Sequence, residues 1–256
     1  MDQPMDQPMD QPMDQPMDQR GQAPTPFEMG WWGTGLGRYR ACDSTYCFYA
    51  YDSLPPLPPL DGSLSWLGAL PDELDQRMAI YRNPPEERGS LARLREDADR
   101  LGLVLPADFL RLMSSPELQD RVPSCTACYF ELGERIAPCP GSPQGYILRF
   151  LTDQQAVLAW YLYLAPDGGY CVLASDYGLD EADEADGEDG EDGSPDAQAM
   201  EAQTRVCARS FEEFIYRFWL ENTLWFKLSD RRQPQTLTPD ERRYIAHYEG
   251  QGASQT

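Results

Sequence analysis

The chain has 256 residues, 43 acidic against 21 basic, and a formal charge of -22. That balance argues against holding nucleic acid through its phosphates, which takes clustered Lys and Arg, and against resting on an anionic membrane. The longest apolar runs, residues 156–165 and 170–174, fall short of the ~20 residues of a membrane helix.

The charge is uneven. Residues 1–19 carry five Asp and residues 176–196 carry eleven acidic groups, neither with a base, which leaves -6 on the other 216 residues. No basic start is followed by an apolar stretch, so no signal peptide is expected and the expected location is cytoplasmic. Seven cysteines, an odd number, are present: Cys42, Cys47, Cys125, Cys128, Cys139, Cys171 and Cys207. In a reducing compartment a disulfide framework is not expected.

In chain order, the first element is a Met-Asp-Gln-Pro repeat. Pro at every fourth position removes donors and breaks helices, so residues 1–26 are predicted to be a disordered tail. Gly30-Trp31-Trp32-Gly33-Thr34-Gly35-Leu36-Gly37 lacks the spacing and the preceding strand of a dinucleotide loop. It is predicted to be a packed loop anchored by its tryptophans. Residues 45–51 are strand-like. Leu54-Pro55-Pro56-Leu57-Pro58-Pro59-Leu60 predicts polyproline II, read as a stiff connector on its own domain rather than a ligand for a partner groove.

Helices are predicted over 71–82 and 84–101, the second with Leu91, Leu94, Ala98 and Leu101 on one face and Gly102 as its stop. A short helix follows Pro106 and stops before Pro116. Extended segments come next at 127–132, 146–151 and 157–164, the last apolar on both faces, as a central strand is. Asp167-Gly168-Gly169 is a turn into a strand at 170–174. Residues 176–204 read as a disordered acidic insertion, and 205–208 as a closing strand. Ser210-Phe211-Glu212-Glu213 is a capping box that opens a strongly apolar helix. Thr238-Pro239-Asp240-Glu241 opens the last one, with Pro at its first position. Residues 27–250 are thus expected to be one α+β domain with a single mixed or antiparallel sheet and packed helices. Residues 251–256 are a tail.

Chemistry is sparse. His247, the one histidine, sits on the last helix, which weakens any nucleophile scheme that needs an imidazole base. Cys125-Thr126-Ala127-Cys128 is a single CxxC. With Cys139 it supplies three soft ligands, and Cys42 or Cys47 a fourth, but no second CxxC exists. Small buried thiols are the simpler account. The acidic insertion matches no calcium-loop register. Its groups suit a basic partner instead. Asp153 has no visibly paired carboxylate.

Several stretches resemble the SUKH superfamily, relatives of the yeast cell-wall assembly regulator. They are Leu105-Pro106-Ala107-Asp108-Phe109-Leu110-Arg111-Leu112-Met113, then 123–130 and 149–164, then Ser210-Phe211-Glu212-Glu213-Phe214-Ile215. The resemblance covers about residues 84–228, and segment 27–60 and the last helix have no counterpart in it. It implies a SUKH-like α+β fold with an N-terminal extension, no catalytic residues and no cofactor. It also implies a binding role, commonly as an immunity protein against a bacterial toxin. The expected function is a non-enzymatic protein-binding module, an immunity or adaptor protein that occludes a partner such as a toxin with a basic active-site cleft. Asp180, Glu181, Asp183, Glu184, Asp186, Glu188 and Asp189 are the expected partner-binding groups. Neither direct nucleic-acid binding nor membrane binding is expected. The alternative is a structural zinc protein built on Cys125, Cys128 and Cys139.

Overall fold

Strand β1 (Gly30–Gly33) pairs antiparallel with β2 (Cys47–Ala50). Here the chain departs from the packed loop expected around the tryptophans. The twofold alternation of a strand buries Trp31 and leaves Trp32 half-buried. The computed structural model describes residues 25–72, 74, 88–176, 178–180, 197–229 and 236–252. The repeat tail up to residue 24, most of the helix expected at 71–82 and residues 181–196 lie outside them.

Helix α1 (Arg88–Leu101) buries Leu91, Leu94 and Ala98. It ends in a Schellman turn: Gly102 sits at φ +69, and Leu103 N donates to Ala98 O at 2.8 Å. Only glycine takes that left-handed φ without strain. Helix α2 (Ala107–Met113) follows Pro106 as expected. The chain then restarts at Pro116 in a short α3 (Pro116–Gln119), with Ser115 as cap, because proline at a first helical position loses nothing.

The main sheet is six-stranded and antiparallel, in the order β3 (Tyr129–Phe130), β5 (Tyr146–Thr152), β6 (Ala159–Leu164), β7 (Tyr170–Ser175), β8 (Arg205–Ala208), with β4 (Ala137–Pro138) also on β5. Met29 bridges Val206 in parallel and so extends the β8 edge. The α+β class and the single main sheet expected from the sequence are both present.

Alternation along β6 decides the layers. Trp160, Leu162 and Leu164 face one core with Leu148, Phe150 and Val172, under α1, α2 and helix α5 (Phe211–Ser229). Tyr161 and Tyr163 face a second core with Ile147, Cys171 and Leu173, covered by Phe27, Leu179 and Met200. Met200 belongs to helix α4 (Ala197–Gln203). This corrects the boundaries of the insertion. Residues 178–180 and 197–204 are packed structure: Leu179 N donates to Tyr161 Oη at 3.1 Å, and buried Thr204 hydrogen-bonds Ser175 Oγ at 3.1 Å. Apolar Leu179 and Met200 have a sheet face to cover.

The far side of α5 packs Tyr216, Leu220 and Leu224 against Leu36 and against Tyr244, Ile245 and Tyr248 of helix α6 (Pro239–Gly252). Helix α5 is therefore packed on both of these sides. Among the described residues no helix is long and apolar enough to cross a membrane.

Four rings form the centre of the first core. Phe150 meets Phe109, Phe211 and Phe214 edge-on, with centroids 6.1, 5.2 and 5.5 Å away. Phe150→Ala leaves a cavity among α2, α5 and the sheet, and the expected loss is about 3–5 kcal/mol. Urea unfolding monitored by tryptophan fluorescence measures it, and a loss below about 1 kcal/mol would remove this cluster from the centre of the core.

Candidate functional site

Helix α5 carries Glu212, Arg217, Glu221 and Lys227 into the interior, all buried. A buried charge is tolerated only with partners, and each has them. Glu221 holds Arg40 in a bidentate pair at 2.5 and 2.6 Å. It also accepts from Trp31 Nε1 at 2.9 Å and Tyr244 Oη at 2.6 Å. Arg40 in turn donates to Thr34 O and Tyr248 Oη. Burial opposes the charge on Glu221, but Arg40 and these hydrogen bonds outweigh it and hold its pKa below the usual carboxylate range. Gly33 makes the approach possible: a Cβ there would lie 2.6 Å from Trp31 Nε1 and 2.8 Å from Arg40 Nη2.

The neighbouring charges follow the same rule. Glu212 accepts from the amides of Gly62 and Leu64 and from Trp66 Nε1. Arg217 donates to Pro55 O and Tyr244 Oη. Lys227 pairs with Glu241 at 2.6 Å, and Glu241 completes the expected capping box with Thr238. At the start of α5, Ser210 Oγ caps Glu213 N at 3.1 Å, while the Glu213 carboxylate reaches Arg209 N and Tyr51 Oη.

The CxxC turn sits beside this seam. Ala127 takes φ +59. Cys128 N donates to Ser124 Oγ at 2.8 Å, and Cys125 N to Asn222 Oδ1 at 2.7 Å. The Tyr46 hydroxyl reaches in from the β1–β2 loop, 2.6 Å from Asp153 Oδ2, 2.8 Å from Thr126 Oγ1 and 3.3 Å from Cys128 Sγ. It has one proton to donate, and the shortest of these contacts is to Asp153 Oδ2. Burial pushes the Cys125 thiol up to about 12 and raises Cys128 as well. Neither is a thiolate at neutral pH, so neither is primed as a nucleophile.

Cys139 does not join them. It lies in the second core near Cys171, on the opposite face of the sheet, and burial pushes it up to about 12. Among the described residues no group of three His, Cys, Asp or Glu side chains could hold a metal. Cys42 and Cys47 instead form a disulfide, with Cα atoms 5.7 Å apart. The sequence predicts no disulfide framework, and this one bond forms because the loop between β1 and β2 folds back and brings the two together.

Among the described residues, two of the clefts open to solvent border α5. The first, about 520 Å³, lies between the glycine loop and α5, lined among others by Thr34, Cys42, Thr45, Cys125 and Trp225, with no carboxylate or imidazole. The second, about 480 Å³, lies along the proline segment, between Pro55, Pro58, Arg209 and Arg217. That segment rests on its own domain, with Leu54 buried and Leu57 and Leu60 packed beside α6. Asp153 lines neither cleft; it is buried, and its Oδ1 accepts Gln155 N at 2.8 Å. His247 Nε2 lies 3.1 Å from Ser53 O, and His247 lines neither cleft.

Of the expected partner-binding groups, Asp180 is tied down. It pairs with Arg149 at 3.3 Å and its side chain is only 9% exposed. Glu181, Asp183, Glu184, Asp186, Glu188 and Asp189 lie outside the described residues. What the sequence reading missed is the Arg40–Glu221 centre. The apolar positions of α5 nearly encircle the helix and so mark its charges as buried, but nothing local names Arg40 as the partner, 181 residues away. No family model, curated protein or solved structure matches the chain.

Asp108 gives this interior a pH signature. Burial raises its pKa to about 6, against the pull of the Phe109 and Glu212 amides, both 2.9 Å away. The folded value lies above the ~3.9 of an unfolded Asp. Its contribution is therefore greatest below pH ~4 and is lost as pH rises through 6. Asp108→Asn lacks that titration. Relative to the parent its stability should rise between pH 4 and pH 7, by up to about 3 kcal/mol. Urea unfolding at both pH values measures the difference, and one that does not change with pH would contradict a raised Asp108.

Proposed function

We propose that this chain is a non-enzymatic protein-binding module of SUKH type, an immunity or adaptor protein that works in the cytoplasm by covering a partner's active site. Two features support the reading. The order of elements, α1, then α2 behind Leu105-Pro106, then the meander, then α5 behind Ser210, follows the motifs that resemble the superfamily. The interior carboxylates Asp108, Asp153, Glu212, Glu221 and Glu241 are each engaged in holding segments together.

The observation that carries the partner class is the rooting of the acidic stretch. Residues 181–196 contain nine acidic groups and no base. They are bounded by Leu179 and Asp180 on one side and by Met200 and Thr204 on the other, all fixed to the sheet. The partner that complements this charge has a basic cleft, such as a nuclease that grips a phosphate backbone.

Co-expression with any toxin encoded beside this gene tests the proposal. Protection of the host is expected, together with a complex in purified form. Neutralising Glu181, Asp183, Glu184, Asp186, Glu188 and Asp189 to their amides should slow association at least tenfold at low salt and flatten its salt dependence. Absence of both protection and binding would end the immunity reading. Unchanged association by the amide variant would remove the acidic stretch from the interface.

A further inference from the structure

We infer that the Cys42–Cys47 disulfide is a thiol–disulfide exchange site for dithiol reductants, and that its reduction withdraws Tyr46 from the core. The inference is independent of the proposed function.

Three observations carry it. The first is access. Cys42 and Cys47 are half-buried, and Ala41, Asp43, Ser44 and Thr45 around them are exposed. Cys42 also lines the 520 Å³ cleft, which leads an incoming thiolate to its sulfur. The second is contrast. Cys128, Cys139, Cys171 and Cys207 are buried, and burial raises the thiol pKa of all four and of Cys125, so the protein's own thiols are poor attackers. The third is coupling. Tyr46 lies inside the loop that the disulfide closes, packs edge-on against Trp160 at 6.0 Å and bonds Asp153 and Thr126. Its hydroxyl lies 3.3 Å from Cys128 Sγ. Opening the loop loosens this one inward anchor and uncovers the Cys128 thiol.

The exchange is balanced. One thiolate of the reductant attacks Cys42 Sγ, the S–S bond breaks, and Cys47 leaves as a thiolate that takes up a proton. The second thiol of the reductant then attacks its own sulfur in the mixed disulfide and releases Cys42. Two electrons and two protons pass to the protein, and the reductant leaves as a disulfide.

The full chain, purified without reductant, is pulsed with N-ethylmaleimide before and after dithiothreitol and mapped by peptide mass. Before reduction, Cys42 and Cys47 are expected to be joined and unlabelled. After it both label, and Cys128 labels at least tenfold faster while Cys171 and Cys207 keep their rates. A Cys42→Ser/Cys47→Ser variant should show the fast Cys128 rate without reductant. Free Cys42 and Cys47 in the unreduced protein would overturn the inference. So would an unchanged Cys128 rate, or equal acceleration at Cys171 and Cys207, which would signal general unfolding.

Discussion

The carboxylate of Glu221 is the point on which the arrangement depends. It is buried on α5, where a lone charge would be prohibitive, and it gathers three donor residues from two separate parts of the chain. Trp31 and Arg40 come from the N-terminal segment, 190 and 181 residues away, and Tyr244 comes from the last helix. Charge-assisted bonds of this kind are short and directional. They set where the glycine-rich segment lies on α5 and where α6 closes over it. Asp108 and Glu212 repeat the device in the first turn of α5, where a carboxylate from α2 meets the Glu212 amide and the Glu212 carboxylate holds the segment around Leu64.

This explains why the segment of residues 25–72 is part of the domain rather than an appendage. It supplies a strand pair beside β8, two buried tryptophan and leucine anchors, Trp31 and Leu36, and the cation of the central pair. The proline stretch then runs back along α5, with Pro55 O taken by Arg217. The buried carboxylates Asp108, Glu212 and Glu221 are thereby engaged in joining segments. On the proposed reading, recognition then falls to the surface and to the acidic stretch rooted at Asp180 and Thr204.

Much of the fold was legible because its signals are local. The all-apolar run of β6 required cover on both faces, Gly102 and Thr238 marked helix ends, and Ser210 marked the start of α5. Each rests on residues within a turn or two of one another. Three features had no such signal. Trp31 and Trp32 lie between glycines that read as a loop, and only pairing with residues 47–50 makes them a strand. Cys42 and Cys47 are five residues apart, a spacing that becomes a bond only because the loop folds back. Arg40 and Glu221 pair across nearly the whole domain. The candidate site was less legible than the fold: the CxxC was visible, but Tyr46 and Asp153 reach it from distant loops, and Cys139 is taken away from it by the sheet.

The most direct test of the central claim is a double-mutant cycle on Arg40→Met and Glu221→Met, read by urea unfolding at pH 7. Each single change strands a buried charge and should lose about 3–5 kcal/mol. The double change removes both charges, so it should lose far less than the sum, with a coupling of at least about 2 kcal/mol. Single losses below about 1 kcal/mol, or losses that add to within about 0.5 kcal/mol, would contradict the pair as the interaction on which the domain is built.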